Sequence, residues 1–210
     1  MHLTNYAINK ENNKFEFNSD ETRDDVGHKR SLTWLMGFLE EQGHDREGFQ
    51  AGVKEIIVKT MIAVQPSLSH LYRSSLPDDI ENSQCFEILG FDIFVDEKLK
   101  PWLLEVNHSP SFVTDTPLDF KIKRGLISNA LELINLSLKR KRRYKNRQRQ
   151  MAQRRMFTGK TGKLSTEEKE QAKADFLRKR DRFEKKHLNG FELIHPLDER
   201  GASPDKKDER

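Results

Sequence analysis

An α/β fold is predicted for this chain, and three observations predict it. Two apolar segments, Phe86–Val95 (FEILGFDIFV) and Pro101–Asn107 (PWLLEVN), flank a short polar link, the pattern of a strand hairpin. Three other stretches carry apolar residues at helical spacing. The chain has 210 residues, of which 34% are hydrophobic and 34% charged, and a mean hydropathy of −0.85. That supports one core of ordinary size and leaves part of the polypeptide outside it.

The opening HLTNYAINK brings His2, Thr4, Asn5, Tyr6 and Lys10 close together. Short polar side chains in such a run most often form turns. Glu11 to Arg30 is polar and reads as a loop. Leu32, Leu35, Met36 and Leu39 then recur at helical spacing, with Ser31 as N-cap and Gly43 as stop. A second helix carries Val53, Ile56, Ile57, Thr60, Met61 and Val64, and is expected to run past Pro66 through Leu71. Pro77 opens a loop before the hairpin. After the loop from His108 to Thr116, Pro117 occupies the first helical position behind Thr116. That helix runs through Ile122, Leu126, Ala130 and Ile134. Ser165 and Glu168 form a capping-box signature for a charged helix from Leu164 to Leu188, ended by Asn189-Gly190. Asp198 to Arg210 is expected to be disordered.

The formal net charge of +4 hides a split. Residues 1–137 hold 14 Lys/Arg and 22 Asp/Glu, whereas residues 138–210 hold 24 Lys/Arg and 12 Asp/Glu. An acidic globular part followed by a basic part suggests a polyanionic partner. No apolar run approaches the roughly 18–20 residues that span a bilayer, so no membrane association is expected. The N-terminus lacks the basic and apolar regions of a secretory signal. Cys85 is the only cysteine, which excludes an intrachain disulfide framework and any Cys-rich zinc module, and points to a reducing compartment.

The most informative local feature is GFDIFVDEKLKPWLLEVN. Pairing Asp92 with Glu105 centres the hairpin between Lys98 and Leu99 and gives a two-residue turn. Side chains alternate faces along a strand. One face then carries Phe91, Ile93, Val95, Trp102, Leu104 and Val106, which is uniformly apolar and expected to be buried. The other carries Asp92, Phe94, Leu103, Glu105 and Asn107. Opposed residues lie about 4.5–5.5 Å apart at Cα, so the two carboxylates repel unless a cation or proton sits between them. Oxygen ligands from Asp, Glu and Asn suit Mg²⁺. A solvated hairpin end with ordinary surface acids is the alternative. His108 directly follows this strand and can reach whatever the carboxylates hold, although a loop histidine is commonly just solvated.

Three motifs, HLTNYAINK, GFDIFVD and KPWLLEVNHSPSF with TDTPLD, together resemble the C-terminal part of the tubulin tyrosine ligase-like family, most closely its tubulin polyglutamylases. The resemblance covers residues 1–137 and extends to the basic region. It implies the C-terminal part of an ATP-grasp fold, a hairpin-containing sheet with packed helices, followed by a basic helical extension. It also implies an ATP- and Mg²⁺-dependent ligase. In that scheme a glutamate side-chain carboxylate of a tubulin tail is activated as an acyl-phosphate and attacked by the amine of free L-glutamate. By motif, Asp92, Glu105 and Asn107 match the magnesium ligands. Thr4 and Asn5 match the nucleotide-binding end of the HLTN motif. Tyr6, Lys10 and His108 fall where the family handles glutamate. The implied location is the cytoplasm and cytoskeleton, including cilium or basal body. Family members carry a long segment before HLTN with the adenine pocket and phosphate-contacting lysines. The chain is therefore expected to be a truncated form that does not catalyse alone.

Lys139 to Arg155 has ten basic residues and no acid, which is unusual for a merely solvated helix. The resemblance implies a docking region for acidic tubulin tails, with Arg140, Lys141, Arg142 and Arg143 at its start. The expected division is a partial ligase domain over 1–137, a basic helical tubulin-binding region over 138–197 and a tail over 198–210. The alternatives are a catalytically inactive fragment that binds tubulin tails, and a basic nucleic-acid-binding domain. Only Tyr144 supplies an aromatic for base stacking within the run, which disfavours nucleic acid.

Overall fold

The computed structural model describes residues 11–20, 23, 25–77, 79, 85–158 and 165–196. Thr4, Asn5, Tyr6 and Lys10 lie outside the described residues. Among the described residues five helices and two strands follow in order: α1 (Leu32–Glu41), α2 (Arg46–Ser75), β1 (Gly90–Val95), β2 (Pro101–Asn107), α3 (Pro117–Ile134), α4 (Leu138–Thr158) and α5 (Thr166–Glu184). The described residues group into two compact units. One is drawn from Met1–Ser75, Phe86–Arg124 and Leu193–Arg210, the other from Leu76–Cys85 and Gly125–Glu192. None of the described helices is long and apolar enough to cross a membrane.

In the first unit the helix starts follow from their caps. Ser31 Oγ accepts the Trp34 N–H at 3.0 Å, as its place before the apolar repeat predicts. Asp45 Oδ1 accepts the Gly48 N–H at 2.8 Å and starts α2. Pro66 sits inside α2, and the helix continues past it to Ser75. Met36, Leu39 and Phe49 form the buried core, with Leu35, Val53, Val95 and Leu99 packed against it. So α1, the first turns of α2 and the turn end of the hairpin share one apolar centre. At Gly52 an added Cβ would meet Pro101 Cγ at 3.0 Å, so α2 comes down on the start of β2.

The sheet is a two-stranded antiparallel hairpin, β1 with β2. The first apolar segment is strand only from Gly90, not from Phe86. The turn also differs from the two-residue expectation. Asp96 accepts the Leu99 N–H at 3.0 Å, and the Asp96 N–H donates to Lys100 at 3.1 Å. The loop therefore holds three residues, Glu97–Lys98–Leu99, with Leu99 at φ 59°. A left-handed leucine costs about 1 kcal/mol, and its packing against the core offsets that. The sequence hides this turn because glycine or asparagine is the usual signal for it. Asp96 holds the loop with its carboxylate, accepting the Lys98 and Lys100 N–H groups at 2.9 Å and Trp102 Nε1–H at 2.9 Å.

The polar stretch from Glu11 is loop throughout its described part. Glu16 and His28 close it. The Glu16 N–H donates to His28 Nδ1 at 3.0 Å, and the His28 N–H returns to the Glu16 carbonyl at 3.1 Å. The loop ends on α3. Lys29 Nζ lies 3.1 Å from Asp119 Oδ2. Thr116, buried, caps α3: its hydroxyl accepts the Asp119 N–H at 3.1 Å and donates to Asp119 Oδ2 at 3.0 Å. Pro117 is the first helical residue, as expected. Burial by itself would raise the Asp119 carboxyl, but the hydrogen bonds from Lys29 and Thr116 outweigh it and hold the group below its ordinary value. A depressed carboxyl stabilises the fold above the unfolded aspartate range and loses that contribution as pH falls through the folded value. Thermal melts of Asp119→Asn and the parent should differ by about 1 kcal/mol at pH 7, solvent screening included, and the gap should begin to close only as pH falls below the ordinary aspartate value. A pH-independent gap would show that the carboxylate charge is not what anchors α3.

In the second unit α4 and α5 are polar, and α5 opens with the expected capping box. Ser165 Oγ accepts the Glu168 N–H at 3.1 Å, while the Ser165 N–H donates to Glu168 Oε2 at 2.8 Å. The helix stops at Glu184, earlier than Leu188. Phe183 stacks on His187 at 3.9 Å between ring centroids, in the turn that follows. Asn189, at φ 44°, ties that turn to α3: its carbonyl accepts Asn129 Nδ2–H, and its own Nδ2 donates to Glu132 Oε2 at 2.7 Å.

Candidate functional site

Three of the residues singled out in the sequence meet at one end of the hairpin. Asp92 pairs with Glu105, and Gly90 pairs with Asn107. Direct partners share a face, and Asn107 stands two residues beyond Glu105 on β2, so all three side chains lie on one side. Asn107 Nδ2 donates to Asp92 Oδ2 at 3.2 Å and to Glu105 Oε1 at 3.1 Å. Gly90 makes room here. A Cβ on it would meet Pro110 Cβ at 3.2 Å, so the chain leaving Asn107 folds back closely over the sheet.

The pairing beyond this end is not the one expected. Between Asp92 and Ile93 the register shifts: Ile93 faces Leu103, Phe94 faces Trp102 and Val95 faces Pro101. Leu104 is the extra residue of a β-bulge. The turn is one residue longer than a two-residue turn, and the bulge absorbs the difference. The Asp92–Glu105 pair therefore stands as expected, although the turn does not. The apolar face is only partly realised. Phe91, Ile93, Val95 and Val106 are half-buried, but Trp102 is 47% and Leu104 48% exposed. The bulge takes Leu104 out of the alternation. Trp102 stays at the turn, where Lys100 Nζ lies 3.9 Å from its ring centroid.

The electrostatics of the pair are asymmetric. Partial burial, then the neighbouring Glu105, push the Asp92 carboxyl above its ordinary value, against the Asn107 amide. Glu105 is held below its ordinary value, first by Asn107 and then by the hydrogen bond with Asp92. The proton is thus held more tightly at Asp92 than at Glu105, so Asp92 carries the cost of the pairing. Among the described residues neither carboxylate forms an ion pair. Two acids so close without a cation are the arrangement that a bound cation relieves.

The donor set fits Mg²⁺. It is oxygen only, with two carboxylates and one amide. No group of three His, Cys, Asp or Glu that could hold a metal occurs among the described residues. A hard cation here would complete its shell with water or phosphate oxygens. Asp92→Asn removes the repulsion, so in metal-free buffer the variant should melt about 2–4 °C above the parent. Millimolar Mg²⁺ should raise the parent and leave the variant unmoved. A parent that ignores Mg²⁺ in the presence of nucleotide would count against the metal reading.

His108 is exposed at the start of the loop that follows β2. Within that loop Ser111 Oγ accepts the Val113 N–H at 3.3 Å, and Lys123 of α3 donates to the Val113 carbonyl. Lys123 and the Lys29–Asp119 contact escaped the sequence reading, because nothing in their local pattern marks a long-range partner. Asp119 three residues after Thr116 was the available cap signal. On α4, Lys141 and Arg142 are exposed. The side chains of Arg140 and Arg143 lie outside the described residues. No acid interrupts residues 139–155, so this helix carries an unmixed positive charge.

Comparison with known proteins places these features. The model of the tubulin-tyrosine ligase family matches residues 1–144. The chain is similar to the "Probable beta-tubulin polyglutamylase" of Tetrahymena thermophila, 51% identical over 199 residues, which is 95% of this chain and 17% of that protein. It is 46% identical over 159 residues to the tubulin polyglutamylase TTLL7 of Mus musculus, covering 75% of this chain and 17% of the relative. It is 40% identical over 198 residues to the tubulin polyglutamylase ttll6 of Danio rerio, covering 94% of this chain and 25% of the relative. The chain thus spans between about a sixth and a quarter of these relatives' length. With the family model matched across its hairpin, its carboxylate pair and the start of its basic helix, the chain belongs to the tubulin-tyrosine ligase family.

Proposed function

We propose that this chain forms the metal- and phosphate-facing part of an ATP-dependent ligase that adds glutamate to glutamate side chains of tubulin tails. The observation that carries the reading is the convergence of Asp92, Glu105 and Asn107 at one end of the hairpin, in a chain 51% identical to a probable β-tubulin polyglutamylase. Asp92, Glu105 and Asn107 would hold Mg²⁺. When bound, Mg²⁺ supplies charge neutralisation at the phosphates of ATP, where phosphoryl transfer to the acceptor carboxylate needs it. Glu105 suits that role because the Asn107 amide, then Asp92, hold its carboxyl below the ordinary value. Asn107 keeps both carboxylates aimed at one point by bonding to each.

The remaining assignments follow the motifs. Thr4 and Asn5 contact nucleotide; Tyr6, Lys10 and His108 handle free L-glutamate. Arg140, Lys141, Arg142 and Arg143 open the arm that docks acidic tubulin tails. Residues 1–137 serve as the ligase portion, 138–197 as the tubulin-binding region and 198–210 as a tail. Work on microtubules places the protein in the cytoplasm and cytoskeleton, including cilium or basal body.

The test joins this chain to the flanking residues of the Tetrahymena relative and measures incorporation of labelled glutamate into microtubules. Incorporation that requires ATP and Mg²⁺ and stops on EDTA addition is expected. Incorporation of another amino acid in preference to glutamate would overturn the substrate, and metal-independent incorporation would overturn the site.

A further inference from the structure

The last turns of α2 carry a groove that the ligase reading does not use. α2 enters the core only through its beginning, at Phe49 and Val53. Farther on, Gln65, Pro66, Ser69, His70, Arg73 and Ser74 line an open groove of about 480 Å³. The lining side chains follow helix geometry. Gln65, Ser69 and Arg73 make one row at i, i+4 and i+8, and Pro66, His70 and Ser74 make the row beside it.

The chemistry of these rows is one-sided. From Met61 to Ser75 the helix has no acid. Among the described residues neither His70 nor Arg73 forms an ion pair. Amide, hydroxyl, imidazole and guanidinium groups all present donors. Leu68 and Leu71, on the same turns of the helix, are exposed. Neighbours one turn apart on a helix lie about 5–6 Å apart at Cβ. Alternate side chains of an extended peptide lie about 6.6 Å apart. An extended peptide bearing acids at alternate positions therefore matches a row of donors to within about 1 Å per step, which flexible Glu and Arg side chains absorb.

We infer that the groove on α2 between Gln65 and Ser74 docks an extended glutamate-rich peptide, a second contact for an acidic chain beside the basic arm. The inference rests on the reading of acidic tails as the substrate. The contact is shallow, so the affinity is low and falls with salt.

The experiment uses the full 210-residue chain and a fluorescein-labelled deca-glutamate, followed by anisotropy at low ionic strength. The background is the α4 variant with Arg140, Lys141, Arg142 and Arg143 replaced by Gln, which reduces binding by the basic arm, and each groove variant is read as a difference from that background. Arg73→Glu should weaken binding roughly fivefold, and Arg73→Lys should stay within about twofold of the parent. Lys59→Glu, on the same helix but paired with Glu55, makes the same change in net charge and should have no effect. Equal losses in Lys59→Glu and Arg73→Glu, or no loss in Arg73→Glu, would overturn the groove. Equal competition by a DNA duplex of matched charge would overturn its preference for peptide. Unchanged circular dichroism of each variant excludes unfolding. Groove and ligase fail separately. Glutamate incorporation with no Arg73 effect removes the groove alone; an Arg73 effect without incorporation removes the ligase reading alone.

Discussion

Glu105→Ala, placed in a polypeptide that incorporates glutamate, should lower turnover at least a hundredfold while leaving microtubule binding nearly unchanged. The size follows from position. Glu105 is one of the two carboxylates that face each other at this end of the hairpin, so its loss halves the negative charge available to a cation there. Outer partners of metal ligands already cost roughly 10–100-fold in metal affinity or activity when removed, and a direct ligand costs more. Asn107 would also lose one of its two acceptors and keep only Asp92. Glu105→Gln keeps the shape and one oxygen, and should be nearly as inactive, because charge is the missing property. Activity within tenfold of the parent in both variants would remove Glu105 from the site. Microtubule binding is the internal control, since the basic residues of α4 are untouched.

Neutralising Arg140, Lys141, Arg142 and Arg143 together should weaken co-sedimentation with microtubules strongly at low salt and little at high salt. Each exposed contact with an acidic tail contributes modestly, about 0.2–1 kcal/mol, and is screened by salt. Four together amount to roughly fourfold to nearly a thousandfold in affinity, with a slower encounter as well. The difference between parent and variant should vanish on microtubules whose acidic tails have been removed by protease. If the variant sediments like the parent at low salt, α4 is a solvated helix. If nucleic acid outcompetes microtubules at matched salt, the run serves a different polyanion.

Local chemistry made much of this legible in the sequence. Ser31, Thr116-Pro117 and the Ser165–Glu168 box each mark a helix start through groups that bond within one turn, so no distant partner is needed. The Asp92–Glu105 pairing was legible because strand alternation leaves few ways to sort that much apolar surface. Turn length was not. Leu99 adopts a left-handed conformation that a leucine does not advertise, and only its packing on the α1–α2 core makes it tolerable. The exposure of Trp102 and Leu104 was equally illegible, since alternation assumes a continuous register and the bulge breaks it. The Lys29–Asp119 bond joins residues 90 apart, which no local pattern reveals. Thr4, Asn5, Tyr6 and Lys10, the HLTN part of the candidate site, lie outside the described residues.

The bulge at Leu104 separates two parts of one hairpin that answer to different constraints. On the turn side, Val95 and Leu99 are bound to the helical core; on the other, Asp92, Glu105 and Asn107 must converge on a point. A residue gained or lost in a plain hairpin would carry every later side chain to the opposite face. Here Leu104 works as a phase corrector, taking up the odd residue before the carboxylates are reached. A one-residue change in the turn can therefore be taken up at the bulge and still leave Asp92 opposite Glu105.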